Sequence, residues 1–86
     1  MHKNYIFSKK KNVILYIYKY KCKVCGIFNA CNHVHHLDRN HANNDAFNLI
    51  VLCKICHRFT HKHHVIIAAT YTPTETASLN SLNSFL

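Results

Sequence analysis

From Val13 to Tyr20 the chain reads Val-Ile-Leu-Tyr-Ile-Tyr-Lys-Tyr, a run dense in β-branched and aromatic residues that predicts a strand. Residues 1–12 before it are polar and lysine-rich, and read as a basic N-terminal arm. Two shorter runs, Asn32 to Leu37 and the unbroken apolar Leu49 to Leu52, predict two further strands. The segment between them, Asp38 to Phe47, is crowded with Asn and Asp and predicts a loop. From Lys54 to about His64 the spacing turns helical, with Ile55, Phe59 and Ile66 recurring on the side expected to pack. A short closing strand over Val65 to Ala69 fits the same pattern. Residues 70–86 are rich in Ser, Thr and Asn and hold the only proline, which suggests a polar, weakly structured C-terminal tail. The expected domain is therefore a small α+β unit spanning 13–69.

Size and charge change this picture. A chain of 86 residues buries only about 60% of its unfolded surface and needs reinforcement. Cysteine is the obvious source. The pairs Cys22/Cys25 and Cys53/Cys56 are both Cys-x-x-Cys, a spacing poorly suited to bridging within a pair. Four thiolates at about 2.3 Å suit one tetrahedral, closed, structural zinc instead. Gly26, the only glycine, follows Cys25 where a tight turn around a metal often needs positive φ. Cys31 is left over and is expected to be a small core residue. No stretch approaches the roughly 20 apolar residues of a membrane span. The lysine cluster Lys9 to Lys11 precedes an apolar run too short for a secretory core. The expectation is a soluble, intracellular, cytoplasmic protein with reduced thiols and no membrane partner.

The formal charge is +8, from eleven Lys and Arg against three acidic residues. A four-thiolate zinc subtracts about two units and leaves the chain basic, which points to nucleic acid as a partner. The three carboxylates, Asp38, Asp45 and Glu75, are scattered, which argues against a two-metal carboxylate nuclease. A catalytic metal must lean on histidine, of which there are nine.

Between the knuckles, the extended run Val34-His35-His36-Leu37 sends two neighbouring imidazoles to opposite faces. One can hold an ion while the other takes a proton. On the expected helix His57 and His61 stand at i and i+4, on one face, and His64 continues that stripe. The order His35-His36-Leu37-Asp38-Arg39-Asn40, then Asn48 to His57, ending at His61, closely resembles HNH endonucleases. It is similar to the subgroup, common in phage and mobile elements and including homing enzymes, whose core is stapled by a four-cysteine zinc. The resemblance covers Cys22 to His61.

What the resemblance implies is a ββα-metal (His-Me finger) fold and a metal-dependent DNA endonuclease. His36 matches the general base that deprotonates the attacking water, and His35 matches a ligand of the catalytic divalent ion (Mg2+, Mn2+, Ni2+ or Zn2+). His57 and His61 match further ligand positions on the helix. Asn48 matches the middle asparagine that fixes the orientation of the base. Duplex DNA held by its backbone is the implied partner, and a homodimer or a larger protein partner stays open. The chemistry is compatible, since an imidazole with an ordinary pKa of about 6.5 is an available base near neutrality.

Arg58 and Lys62 on the same helix are candidate phosphate contacts. His33 shares a strand face with His35, but a solvated or partly packed role is expected. Of the remaining histidines, His2 and His41 carry no assigned role, and His63 and His64 are expected to extend the basic surface of the helix. Tyr16, Tyr18 and Tyr20 are expected in the core rather than as base-stacking platforms. Two other readings compete: a non-catalytic zinc-ribbon nucleic-acid-binding module, which leaves the histidine order as coincidence, and a structural adaptor that keeps only the fold.

Overall fold

The structure, a computed structural model, describes the backbone of residues 2–85 and the side chains of 9–84. Met1 of the expected arm, Leu86 of the expected tail and the His2 side chain lie outside those bounds. Strands β1 (His33–His36) and β2 (Leu49–Leu52) form a two-stranded antiparallel sheet within the two apolar runs that foretold them. Their register pairs His33 with Leu52, Val34 with Val51, His35 with Ile50 and His36 with Leu49. All four residues of β2 are wholly buried, as an unbroken apolar run requires of a strand covered on both faces. Helix α2 (Lys54–Lys62) follows β2 directly and packs on both strands.

Helix α1 (His2–Ile17) also packs on the sheet, and against α3 (Pro73–Phe85). Helix α3 additionally meets a short 3-10 turn, Ala46–Asn48, just before β2. Ile14, Leu15 and Tyr18, β2, and Leu79 and Leu82 of α3 make one core. The result is an α+β fold in which a hairpin sheet is enclosed by three helices. Among the described residues no helix is long and apolar enough to cross a membrane.

Several sequence expectations are corrected here. The strand over Val13 to Tyr20 is instead the end of α1 and its cap. Ile14, Leu15 and Tyr18 are buried while Tyr16 is 73% exposed, which is helical rather than alternating burial. Packing has overridden β propensity. The helix stops in a Schellman motif: the Tyr20 N–H reaches the Leu15 carbonyl at 2.8 Å, and the Lys19 N–H reaches Tyr16 at 2.9 Å. Lys19 takes the left-handed φ of 56° usually given to glycine. The stop signal was therefore invisible in composition. Residues 2–12, expected as a free arm, are the first turns of this same helix.

The expected loose tail is largely α3. Thr72 Oγ1 accepts from the Glu75 N–H, and the Glu75 carboxylate accepts from the Thr72 N–H, a reciprocal capping box with Pro73 at the first helical position. Asn83 then ties the helix to the loop, accepting from the Ala46 N–H at 2.7 Å and donating to Asp45. Residues 65–69 form no strand. Cys31 is exposed rather than in the core.

The packed face of α2 is also the opposite of the expected one. Ile55, Phe59 and Ile66 are 77%, 55% and 88% exposed, while Cys56, His57 and Thr60 turn inward. Metal-binding residue types occupy the sheet-facing side, so hydrophobicity alone chose the wrong stripe.

Candidate metal centres and the histidine cleft

The first knuckle is a tight loop between the end of α1 and β1. The Cys22 N–H bonds the Ile27 carbonyl and the Gly26 N–H bonds Cys22, both at 2.9 Å. A bridge pairs Lys21 with Phe28. Gly26 has φ 77°, the left-handed turn anticipated for it, and open space surrounds the position of a Cβ. Buried Asn32 donates to the Tyr20 and Ile27 carbonyls and closes the loop from within. The Lys23 N–H bonds the Val51 carbonyl at 2.7 Å, attaching the knuckle to β2.

The second knuckle is the start of α2, where the Cys53 sulfur caps the helix by accepting from the Cys56 N–H. The same bond recurs between the Cys25 N–H and the Cys22 sulfur at 3.5 Å. The four sulfurs of Cys22, Cys25, Cys53 and Cys56 lie within 4.8 Å of one another. Cys25 and Cys53 sulfurs are 3.7 Å apart, far beyond disulfide length. That is close to the separation of about 3.8 Å expected for two sulfurs on one tetrahedral zinc.

The protonation chemistry agrees with a cation here. Burial pushes the Cys22 thiol up, but backbone N–H groups of Cys25, Cys53 and Val24 outweigh it and bring it down to about 6. Burial and then the neighbouring thiols push Cys56 up. Four thiols this close cannot all ionise unaided, and a bound dication removes the conflict. These cysteines are placed to hold a structural metal such as zinc.

A second cluster stands on the sheet-facing side of the same helix. One ring nitrogen from each of His35, His57 and His61 falls within 4.8 Å of the others. The His35 ring meets His57 and His61 edge-on at 5.5 and 5.2 Å. His33, on the same strand face, stacks on His57 at 5.0 Å and 11° from parallel. It is thus a support of the cluster rather than a purely solvated residue. His35 is 3% exposed, and its Nδ1 has no hydrogen-bond partner. A buried, unpartnered imidazole nitrogen is unfavourable, and His35, His57 and His61 together could hold a metal ion. Burial first, then His57, His61, Arg39 and His36, lowers His35 to about 4. Burial, His61, His33 and His41 lower His57. Both rings are therefore neutral near pH 7, the form that binds metals.

His36 points the other way, as strand alternation dictates. Its Nε2 lies 2.8 Å from Asn44 Oδ1, and its ring stacks on His41 at 4.9 Å. With Nε2–H donating to Asn44, the neutral ring carries its lone pair on Nδ1. His35 and His36 nevertheless border one cleft of about 240 Å³, together with His41, His57, His61, Arg39, Val34 and Lys11 of α1.

The Asn48 side chain bonds within the loop that follows β1. Its amide donates to Asp38 Oδ1 and the Asn43 carbonyl, both at 2.9 Å, and its Oδ1 accepts from the Asp38 N–H. It clamps the loop that carries Asn44. Asp38 is held below the usual carboxylate range by hydrogen bonds from Asn43, Asn40 and Asn48. Arg58 and Lys62 line a broader depression on the outer side of His57 and His61, with Lys54 and His33. Sequence reasoning missed Asn44, His41, Arg39 and Lys11. The Asn-Asn-Asp density of the loop was the one available signal, and it was read as turn chemistry.

No protein-family model, curated protein or solved structure matches this chain.

Proposed function

We propose that this protein is a metal-dependent endonuclease of the HNH type, with β1, β2 and α2 serving as a ββα-metal core. The observation that carries this reading is the convergence of one ring nitrogen from each of His35, His57 and His61, on the wall of a cleft that His36 also lines. A divalent cation held by those three imidazoles would neutralise charge on a phosphodiester and on its departing 3′ oxygen.

The chain's own residues supply the rest. His36 takes the proton of a water at Nδ1, and the resulting hydroxide attacks phosphorus. The P–O3′ bond breaks and the departing O3′ takes a proton from solvent water, leaving a 5′-phosphate and a 3′-hydroxyl. Asn44 holds Nε2 of His36 and so selects the tautomer that presents the base. Asn48 positions the loop on which Asn44 sits. Lys54, Arg58 and Lys62 form a cationic margin along α2 for the backbone of duplex DNA. The thiol cage fixes the start of α2, and therefore the reach of His57 and His61 to β1.

The decisive experiment is nicking of supercoiled plasmid during titration with Mg2+, Mn2+, Ni2+ or Zn2+. The expected result is metal-dependent strand breaks, lost in His36→Ala at unchanged zinc content and fold. Retarded DNA without breaks at any metal would favour the non-catalytic zinc-ribbon module. Full nicking by His36→Ala would overturn the assignment of the base.

A further inference from the structure

We infer that Arg39 is the phosphate-gripping residue of the histidine cleft, an arginine fork pre-set by the end of α2 to hold a phosphodiester oxygen beside His35 and His36. The inference deepens the nuclease reading and rests on it.

Arg39 is half-buried and borders the cleft. Its Nη2 donates to the Thr60 carbonyl at 2.8 Å, and Nη1 lies 2.7 Å from His64 Nδ1. The Thr60 carbonyl also accepts from the Val65 N–H at 3.1 Å, closing α2. The guanidinium is thereby fixed at the negative end of a helix dipole. A guanidinium carries five N–H donors, so donors remain after these two contacts. Among the described residues the one ion pair is Lys23 with Glu75, so no carboxylate neutralises Arg39. Asp38, its sequence neighbour, is committed to Asn40, Asn43 and Asn48.

The backbone adds an independent sign. Arg39 sits at φ 62°, a left-handed conformation that non-glycine residues rarely adopt. Local rules are broken where function requires it. Here the break turns the side chain from the Asn-rich loop back across the cleft to α2. A helix cap alone would explain Thr60. It would not explain an unneutralised fork on the wall of a cleft whose other lining residues are imidazoles, Lys11 and Val34. An oxyanion satisfies both the charge and the free donors, in the planar geometry that arginine, unlike lysine, offers.

The test uses the full zinc-loaded chain and a labelled 20-base-pair duplex. Binding is followed by anisotropy across a salt series, and cleavage by product ends. Arg39→Ala is expected to weaken binding by about tenfold and to flatten the salt slope by about one ion. Arg39→Lys is expected to keep the slope and lose cleavage by about tenfold or more, since the charge stays but the fork does not. His64→Ala frees one anchor and leaves the charge, so its slope should match the parent. Should Arg39→Ala prove unfolded, Arg39→Lys alone decides, with circular dichroism as control. Folded Arg39→Lys cutting at the parental rate, or Arg39→Ala with an unchanged slope, overturns the assignment of Arg39. If the parent chain neither binds nor cuts the duplex at any metal, the nuclease reading itself falls.

Discussion

Two ligand clusters share helix α2 and differ in what closes them. The sulfurs of Cys22 and Cys53 accept from backbone N–H groups, Cys53 caps α2, and the first knuckle is sutured to β2 through Lys23. The three imidazoles belong to a cleft, lean on other rings and keep one buried nitrogen without a partner. Four thiolates would fill the tetrahedral shell of one zinc, whereas three imidazoles would leave a position open. The difference teaches that donor type and closure, rather than metal-binding residues as such, separate a closed structural site from one open to a further ligand.

The comparison breaks most violently at the staple. Cys53→Ala removes a sulfur and the cap of α2 together. Structural zinc contributes on the order of 10 kcal/mol to small domains, so this variant is expected to be unfolded and zinc-free by circular dichroism and metal analysis. His57→Ala should instead keep the fold and the thiol-bound zinc while losing a second, weaker metal-binding event by calorimetry. Equal unfolding of the two variants would erase the distinction drawn here. Within the cleft, His36→Ala is expected to lower cleavage by about 10²–10⁴-fold, with the melting temperature within a few degrees of the parent.

A pH series sharpens the comparison further. Unfolded, His35 takes up a proton near its ordinary value of 6.5; folded, it does so only near 4. The folded chain binds fewer protons in that window, so stability falls as pH drops from 6.5 toward 4 and levels off below. Acid also loosens thiolate ligation, so the slope should be read against His35→Gln, which lacks the imidazole part. An identical slope in that variant would show that His35 titrates normally.

The smallest effects lie in the caps. Thr72→Ala removes one side of the capping box of α3 and should destabilise by about 1 kcal/mol. Lys19→Gly relieves a left-handed lysine and should stabilise by roughly 0.5 kcal/mol. Both are read from thermal unfolding.

Much of this was legible beforehand, for identifiable reasons. β1, β2 and α2 are short and strongly patterned, and Leu49–Leu52 matches its expected strand end to end. The paired thiol spacing and the i, i+4 step of His57 and His61 were legible in the residues themselves, whereas grouping His35 with them came from the resemblance to HNH endonucleases. α3 was also announced, by Thr72-Pro73-Thr74-Glu75, but the Ser, Thr and Asn content around it masked the box. α1 was misread because residue types that favour strands were turned by packing into a helix. Arg39, His41 and Asn44 could not be found from spacing. Their positions depend on a loop shape that Asn48 clamps and that a left-handed arginine redirects, and both are tertiary facts.

That one helix holds ligands of both kinds sets a timetable for maturation. Thiolates outcompete imidazoles for scarce zinc, so the cage is the first to load. Only then is α2 anchored where its histidines face β1. Filling of the thiol cage would thus decide whether the histidine group assembles at all.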